Sequence, residues 1–161
     1  MIVIVMGVVG AGKTTIGRLL AEQLVWDFAD ADDFHPESNV EKIRHGIALN
    51  DEDRKPWLEA LRQTITRWIA QSRNVVLACS ALKRTYRQQL QIGPEVRFIY
   101  LKGSVDLIVQ RLRARHGHFA DAQILASQLA DLEEPEAAVT VDIAATPQQI
   151  VAEIRKEFGL A

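Results

Sequence analysis

The stretch Ile2-Val3-Ile4-Val5-Met6-Gly7-Val8-Val9-Gly10-Ala11-Gly12-Lys13-Thr14-Thr15-Ile16 decides the fold. Its first five residues form an unbroken apolar run, the pattern of a strand covered on both faces in a parallel sheet. Directly behind it, Gly7 to Thr14 matches G-x-x-x-x-G-K-[ST], and Ile16, Leu19, Leu20 and Leu24 then recur on one helical face. Strand, glycine-rich loop and helix in that order make a cradle for phosphate. Gly7, Gly10 and Gly12 allow the backbone to turn consecutive N–H groups toward one centre. A helix beginning near Lys13 adds unpaired N–H groups and the positive end of its dipole. Gly7, Val8, Val9, Gly10, Ala11, Gly12, Lys13, Thr14 and Thr15 are therefore expected to bind a nucleoside triphosphate. Lys13 would bridge the β- and γ-phosphates, and the Thr14 hydroxyl would ligate Mg²⁺.

Outward from this loop, four more short apolar runs are expected to be strands: Phe28–Ala31, Val75–Cys79, Val96–Leu101 and Val139–Ile143. Helical periods lie between them, on Leu58, Leu61, Ile65 and Trp68, on Val105, Ile108, Val109 and Leu112, and on Ile150, Val151, Ile154 and Phe158. Pro147 suits the first turn of the last helix. Alternating strands and helices joined by short connections predict an α/β fold, a mostly parallel sheet of about five strands flanked by helices. Ligands then belong at the carboxyl ends of the strands. No repeat or Pro/Gly/Ser-rich linker divides the chain, so residues 1–161 are read as one domain. Two polar excursions, about 32–53 and about 116–136, have the character of a substrate-binding segment and a lid.

Composition narrows the partners. The 161 residues carry 19 Lys+Arg against 21 Asp+Glu, a net charge of −2, with 48% hydrophobic residues. Nucleic acid and anionic membranes select a surplus of basic residues, so neither is expected as the main partner. No apolar run approaches the roughly 20 residues that span a bilayer. The single cysteine, Cys79, cannot form an internal bridge and favours a reducing compartment, so the expected location is the cytoplasm.

A phosphate loop leaves the use of the nucleotide open. The guanine-reading N-K-x-D of a signalling GTPase is absent, and the third strand ends Val76-Leu77-Ala78-Cys79-Ser80 without the carboxylate usual in motor ATPases. The second strand does end in carboxylates, Phe28-Ala29-Asp30-Ala31-Asp32-Asp33. Alternation along an extended segment would put Asp30 and Asp32 on one side, toward the loop. One can hold a Mg²⁺-bound water and the other can accept a proton from an attacking hydroxyl. Asp32 is preferred for the hydroxyl and Asp30 for the outer shell of Mg²⁺, with exchange of the two roles left open.

Longer runs carry a resemblance. Asp30-Ala-Asp32-Asp-Phe-His35-Pro36-Glu-Ser-Asn39-Val-Glu-Lys42, then Gly46-Ile-Ala-Leu49-Asn-Asp51-Glu-Asp53-Arg54-Lys-Pro56-Trp57-Leu58, resemble the gluconokinases of the shikimate-kinase-like group. So do Cys79-Ser80-Ala81-Leu82-Lys83 with Tyr86-Arg87, Arg111-Leu-Arg-Ala-Arg115-His-Gly117-His118-Phe119, and Ser127-Gln128 with Leu132-Glu133-Glu134-Pro135. The chain departs at Ile43 and Ala48, where the family commonly has Met and Pro, and in the Ala-Asp-Ala after Phe119. The resemblance implies ATP- and Mg²⁺-dependent phosphorylation of D-gluconate on its terminal hydroxyl, and a homodimer.

The residues can support that chemistry. Arg54 offers a forked donor suited to a carboxylate or to the transferred phosphate, early in a helix that Asn50 or Asp51 would cap. His35, Lys83 and Arg87 are further candidates for holding the substrate. Arg111 and Arg115 share a helix face ahead of Gly117, a plausible hinge, and in related kinases such lid arginines cover the adenine and the transferring phosphate. His116 and His118 lack the spacing of a zinc site. Trp26, Trp57 and Trp68 are read as packing residues. The alternatives are a kinase for another small hydroxy acid such as shikimate, whose Gly-Gly-Gly and Arg-x-x-Glu runs are missing, or a non-catalytic ATP-binding regulator, which would need neither the Asp pair nor the lid arginines.

Overall fold

Strand β1 (Ile2–Met6) sits at the centre of the molecule because all five of its side chains find apolar cover. Successive side chains of a strand point to opposite faces. Val3 and Val5 therefore enter one core while Ile2, Ile4 and Met6 enter another. The computed structural model describes residues 1–115 and 119–160. Its other strands are β2 (Asp27–Asp30), β3 (Val75–Ala78), β4 (Val96–Lys102) and β5 (Val139–Asp142). They form one parallel sheet in the order β2-β3-β1-β4-β5, with β1 between β3 and β4. The predicted runs all appear as strands, with ends that move by one residue. The edge strands β2 and β5 are only partly covered, unlike β1 and β3.

Among the described residues there are seven α-helices: α1 (Lys13–Leu24), α2 (Glu37–Arg44), α3 (Asp51–Ala70), α4 (Arg84–Leu90), α5 (Val105–Arg115), α6 (Phe119–Asp131) and α7 (Pro147–Glu157). Ile16, Leu20 and Ala21 of α1 and Ile150, Val151 and Ile154 of α7 pack with Val3, Val5 and Ile99 on one face. On the other, Trp57, Leu58, Leu61, Ile65 and Trp68 of α3 cover Ile2, Ile4 and Leu77.

The caps account for where helices begin. Asn50 accepts from Asp53 N–H at 2.8 Å, and Asp53 in turn accepts from Asn50 N–H at 3.0 Å. This reciprocal box is worth about 0.5–2 kcal/mol and fixes the turn that carries Arg54. Asn50 is thus the cap, and Asp51 is used elsewhere. Thr146 and Gln149 form the same device ahead of Pro147. No helix of the described residues is long and apolar enough to cross a membrane.

The extended reading of Asp30 to Asp32 does not hold. The strand ends at Asp30, and Ala31–Phe34 forms a single 3-10 turn that Asp30 caps by accepting from Asp32 N–H at 3.0 Å. An aspartate side chain bonding to a backbone N–H two residues on is a strong competitor for the extended state.

Candidate active site

The loop of residues 7–12 leaves β1 at its carboxyl end and delivers Lys13 to the start of α1. Gly12 has φ 97° and Gly10 φ 82°, left-handed values that glycine adopts without strain. At Gly10 a Cβ would also lie 2.8 Å from Leu112 Cγ, so α5 can pack against the loop only over a glycine. Lys13 Nζ donates to the Val8 carbonyl at 3.0 Å, which holds the ammonium over the loop.

Thr14 donates from its hydroxyl to Asp30 Oδ2 at 3.1 Å. Asp30 is thereby engaged at both oxygens, by Thr14 and by the Asp32 N–H. Asp32 instead opens into the cleft. Surrounding protein mass and the Asp30 carboxylate raise its pKa above the usual carboxylate value, with the Lys13 ammonium pulling it down.

A cleft of about 150 Å³ brings together Val9, Lys13, Asp32, His35, Arg54 and Trp57, with Ser80 and Gln128 also in its lining. Four residues singled out from the sequence thus face one another: Lys13, Asp32, His35 and Arg54. Arg54 is only 7% exposed and donates from one terminal nitrogen to the Tyr86 hydroxyl and to Asp131 Oδ2, both at 2.9 Å. Burial works against its charge, but these two partners outweigh it and raise its pKa. Burial, seconded by the Arg54 charge, pushes His35 down to about 4, so the ring is neutral.

Lys83 sits beside this centre. Its Nζ donates to Asp51 Oδ1 at 2.8 Å, and the Tyr86 hydroxyl makes a short bond to the same oxygen, so Lys83, Asp51, Tyr86, Arg54 and Asp131 form one chain of polar contacts. Arg87 turns away from the cleft. It is buried, donating to the carbonyls of Ala81, Leu82 and Glu133, and it lines a second cavity of about 650 Å³ that contains none of the loop residues or the Asp pair. Arg111 donates to the Ile143 carbonyl, tying α5 to the segment after β5. The side chain of Arg115 and residues His116, Gly117 and His118 lie outside the described residues.

Other contacts were not anticipated. Gln128 Oε1 accepts from the Val9 N–H at 2.7 Å, which docks α6 onto the phosphate loop. Trp57 is more than packing: it stacks on His35 with centroids 4.6 Å apart, and its Nε1 donates to the Ala31 carbonyl at 2.7 Å. Ser80 could have been found from its place at the carboxyl end of β3. Ile43 and Ala48, two of the departures noted above, both line the cleft.

Comparison with known proteins fits this geometry. The shikimate kinase family model matches residues 9–158. A probable gluconokinase of Xenopus tropicalis is 43% identical, over 98% of this chain and 93% of its own. The chain belongs to the gluconokinase family. A gluconokinase from Sinorhizobium meliloti superposes with a TM-score of 0.84 at 35% identity, covering 98% of this chain and 94% of that one. A shikimate kinase from Acinetobacter baumannii has a TM-score of 0.64 at 21% identity, covering 98% and 92%, and shares the fold alone. As a member of the gluconokinase family, the chain is a phosphotransferase.

Proposed function

We propose that the chain transfers the γ-phosphoryl group of Mg·ATP to the terminal hydroxyl of D-gluconate, giving 6-phospho-D-gluconate and ADP. The observation that carries this is the cleft in which Lys13 of the phosphate loop faces Asp32, His35 and Arg54. Such transfer has a loose transition state that asks chiefly for alignment and charge neutralisation. Asp32 takes the proton of the terminal hydroxyl as its oxygen bonds to the γ-phosphorus and the bridging bond to the β-phosphate breaks. Its raised pKa makes it a stronger base than an ordinary carboxylate. Asp30, occupied by Thr14 and by a backbone N–H, is the wrong group for that task and suits the outer shell of the metal.

The hydroxyl of Thr14 beside the Asp30 carboxylate is an all-oxygen donor set, which fits Mg²⁺. Among the described residues no group of three or more His, Cys, Asp or Glu could hold a metal ion. What Mg²⁺ supplies when bound is neutralisation of charge on the phosphate oxygens. Lys13 adds a fixed ammonium there, Arg54 and His35 hold the substrate's oxygens, with Lys83 close by, and Arg111 and Arg115 close over the nucleotide. The active form is a cytoplasmic homodimer, which light scattering would test.

The function itself is tested by supplying Mg·ATP and D-gluconate and coupling the product to 6-phosphogluconate dehydrogenase. NADPH should appear with D-gluconate and scarcely with shikimate in a matched ADP-release assay. Tight ATP binding without turnover would favour the regulator reading.

A further inference from the structure

Asn39 is almost wholly buried beside the cleft, 2% exposed, and its amide decides the protonation of a neighbour. Its Nδ2 lies 2.7 Å from the Asp53 carbonyl oxygen and 3.2 Å from His35 Nδ1. A backbone carbonyl only accepts, so the atom facing it is the NH₂ group and not the amide oxygen. One hydrogen goes to Asp53 and the other to His35 Nδ1, which therefore carries no proton. A neutral ring with a bare Nδ1 holds its hydrogen on Nε2.

The ring is also fixed in place. It lies against Trp57 with planes 11° apart, and Trp57 is held by its bond to the Ala31 carbonyl. Burial and the nearby Arg54 charge keep the ring uncharged at neutral pH. Among the described residues none accepts from Nε2, and His35 lines the cleft beside Arg54 and Asp32.

We infer that Asn39 is a positioning residue that locks His35 as the Nε2–H tautomer, so that the ring is a fixed donor to an acceptor oxygen of the polyhydroxy acid in the cleft. Its last step rests on the gluconate reading; the tautomer does not. A ring that accepts from Asn39 at its buried Nδ1 can only donate at Nε2, so it selects an acceptor oxygen in one orientation, which is a source of specificity among small hydroxy acids.

The test combines a spectrum with kinetics. Long-range ¹H–¹⁵N correlation on the full chain with labelled histidine, at pH 7, identifies the His35 signals as those missing in H35Q. The expected spectrum has a protonated Nε2 and a bare Nδ1. In N39D the carboxylate can only accept, so Nδ1 gains a proton. H35A should raise KM for D-gluconate roughly tenfold or more, the scale of one lost hydrogen bond to a buried partner, with kcat less affected. H35Q keeps an N–H donor at the reach of Nε2 and should recover KM to within about threefold. If N39D fails to fold, the wild-type spectrum and the two His35 variants still decide. A protonated Nδ1 in the wild type, or H35Q no better than H35A, would overturn the inference. A wild-type chain inactive on gluconate, with the expected spectrum, would instead overturn the substrate reading and with it the final step.

Discussion

Replacing Asp131 by asparagine isolates the ion pair that fastens α6 over the cleft. Arg54 and Asp131 meet at 2.9 Å, with side-chain exposures of 9% and 25%. Breaking a fully buried pair by removing one partner costs about 3–5 kcal/mol, chiefly because a charge is left behind. Three features reduce that figure here. Water reaches Asp131, Tyr86 still accepts from Arg54, and asparagine offers a carbonyl oxygen in the same place. The expected loss is therefore about 1–2 kcal/mol. In a chain of this size each kcal/mol moves Tm by roughly 2–4 °C, so Tm should fall by about 2–8 °C. Calorimetry or circular dichroism measures it. A second reading makes the test specific: with its carboxylate partner gone, Arg54 should gain more from an incoming anion, so D-gluconate should raise Tm by more in D131N than in the wild type. A Tm within about 1 °C of the wild type, with no larger gluconate shift, would refute the reasoning.

Three further expectations follow from the same geometry. K13A and D32A should both abolish turnover, but D32A should retain nucleotide binding by calorimetric titration; near-normal turnover in D32A would remove Asp32 as the base. The raised pKa of Asp32 means that the folded state resists its ionisation, so its contribution to stability is fully present below the ordinary value of 3.8 and is lost as pH rises through the folded pKa. D32N should accordingly have a higher Tm than the wild type at pH 7, with the gain shrinking as pH falls toward 3.8, and a gain independent of pH would contradict this. D30A removes the acceptor of the Thr14 hydroxyl, so the Mg²⁺ concentration for half-maximal activity should rise several-fold while KM for gluconate changes little.

The parts legible in the sequence were those governed by local pattern. Unbroken apolar runs marked the strands, and the loop motif placed Lys13 and Thr14 because glycine, lysine and hydroxyl spacing is itself the geometry. That Asp32, His35 and Arg54 meet in one cleft was reachable because they follow the carboxyl end of a strand or lie at the start of a helix. Contacts set by distant chain segments were not reachable. Nothing local to Gln128 says that it will meet the Val9 N–H, nor does Asp131 announce Arg54, since each pair joins elements 119 and 77 residues apart. Arg87 was read as a candidate for holding the substrate because its spacing reveals charge and not the three carbonyls that enclose it. Asp30 and Asp32 do lie beside the phosphate loop, but through the side-chain cap and not through strand alternation.

The most direct test of the central claim is phosphorus NMR of the product formed from Mg·ATP and D-gluconate, with kcat/KM for gluconate and shikimate measured side by side. The account predicts a single phosphomonoester on the terminal carbon and a kcat/KM for gluconate far above that for shikimate. Phosphate on another hydroxyl, comparable turnover of shikimate, or ATP bound without any phosphoryl transfer would contradict it.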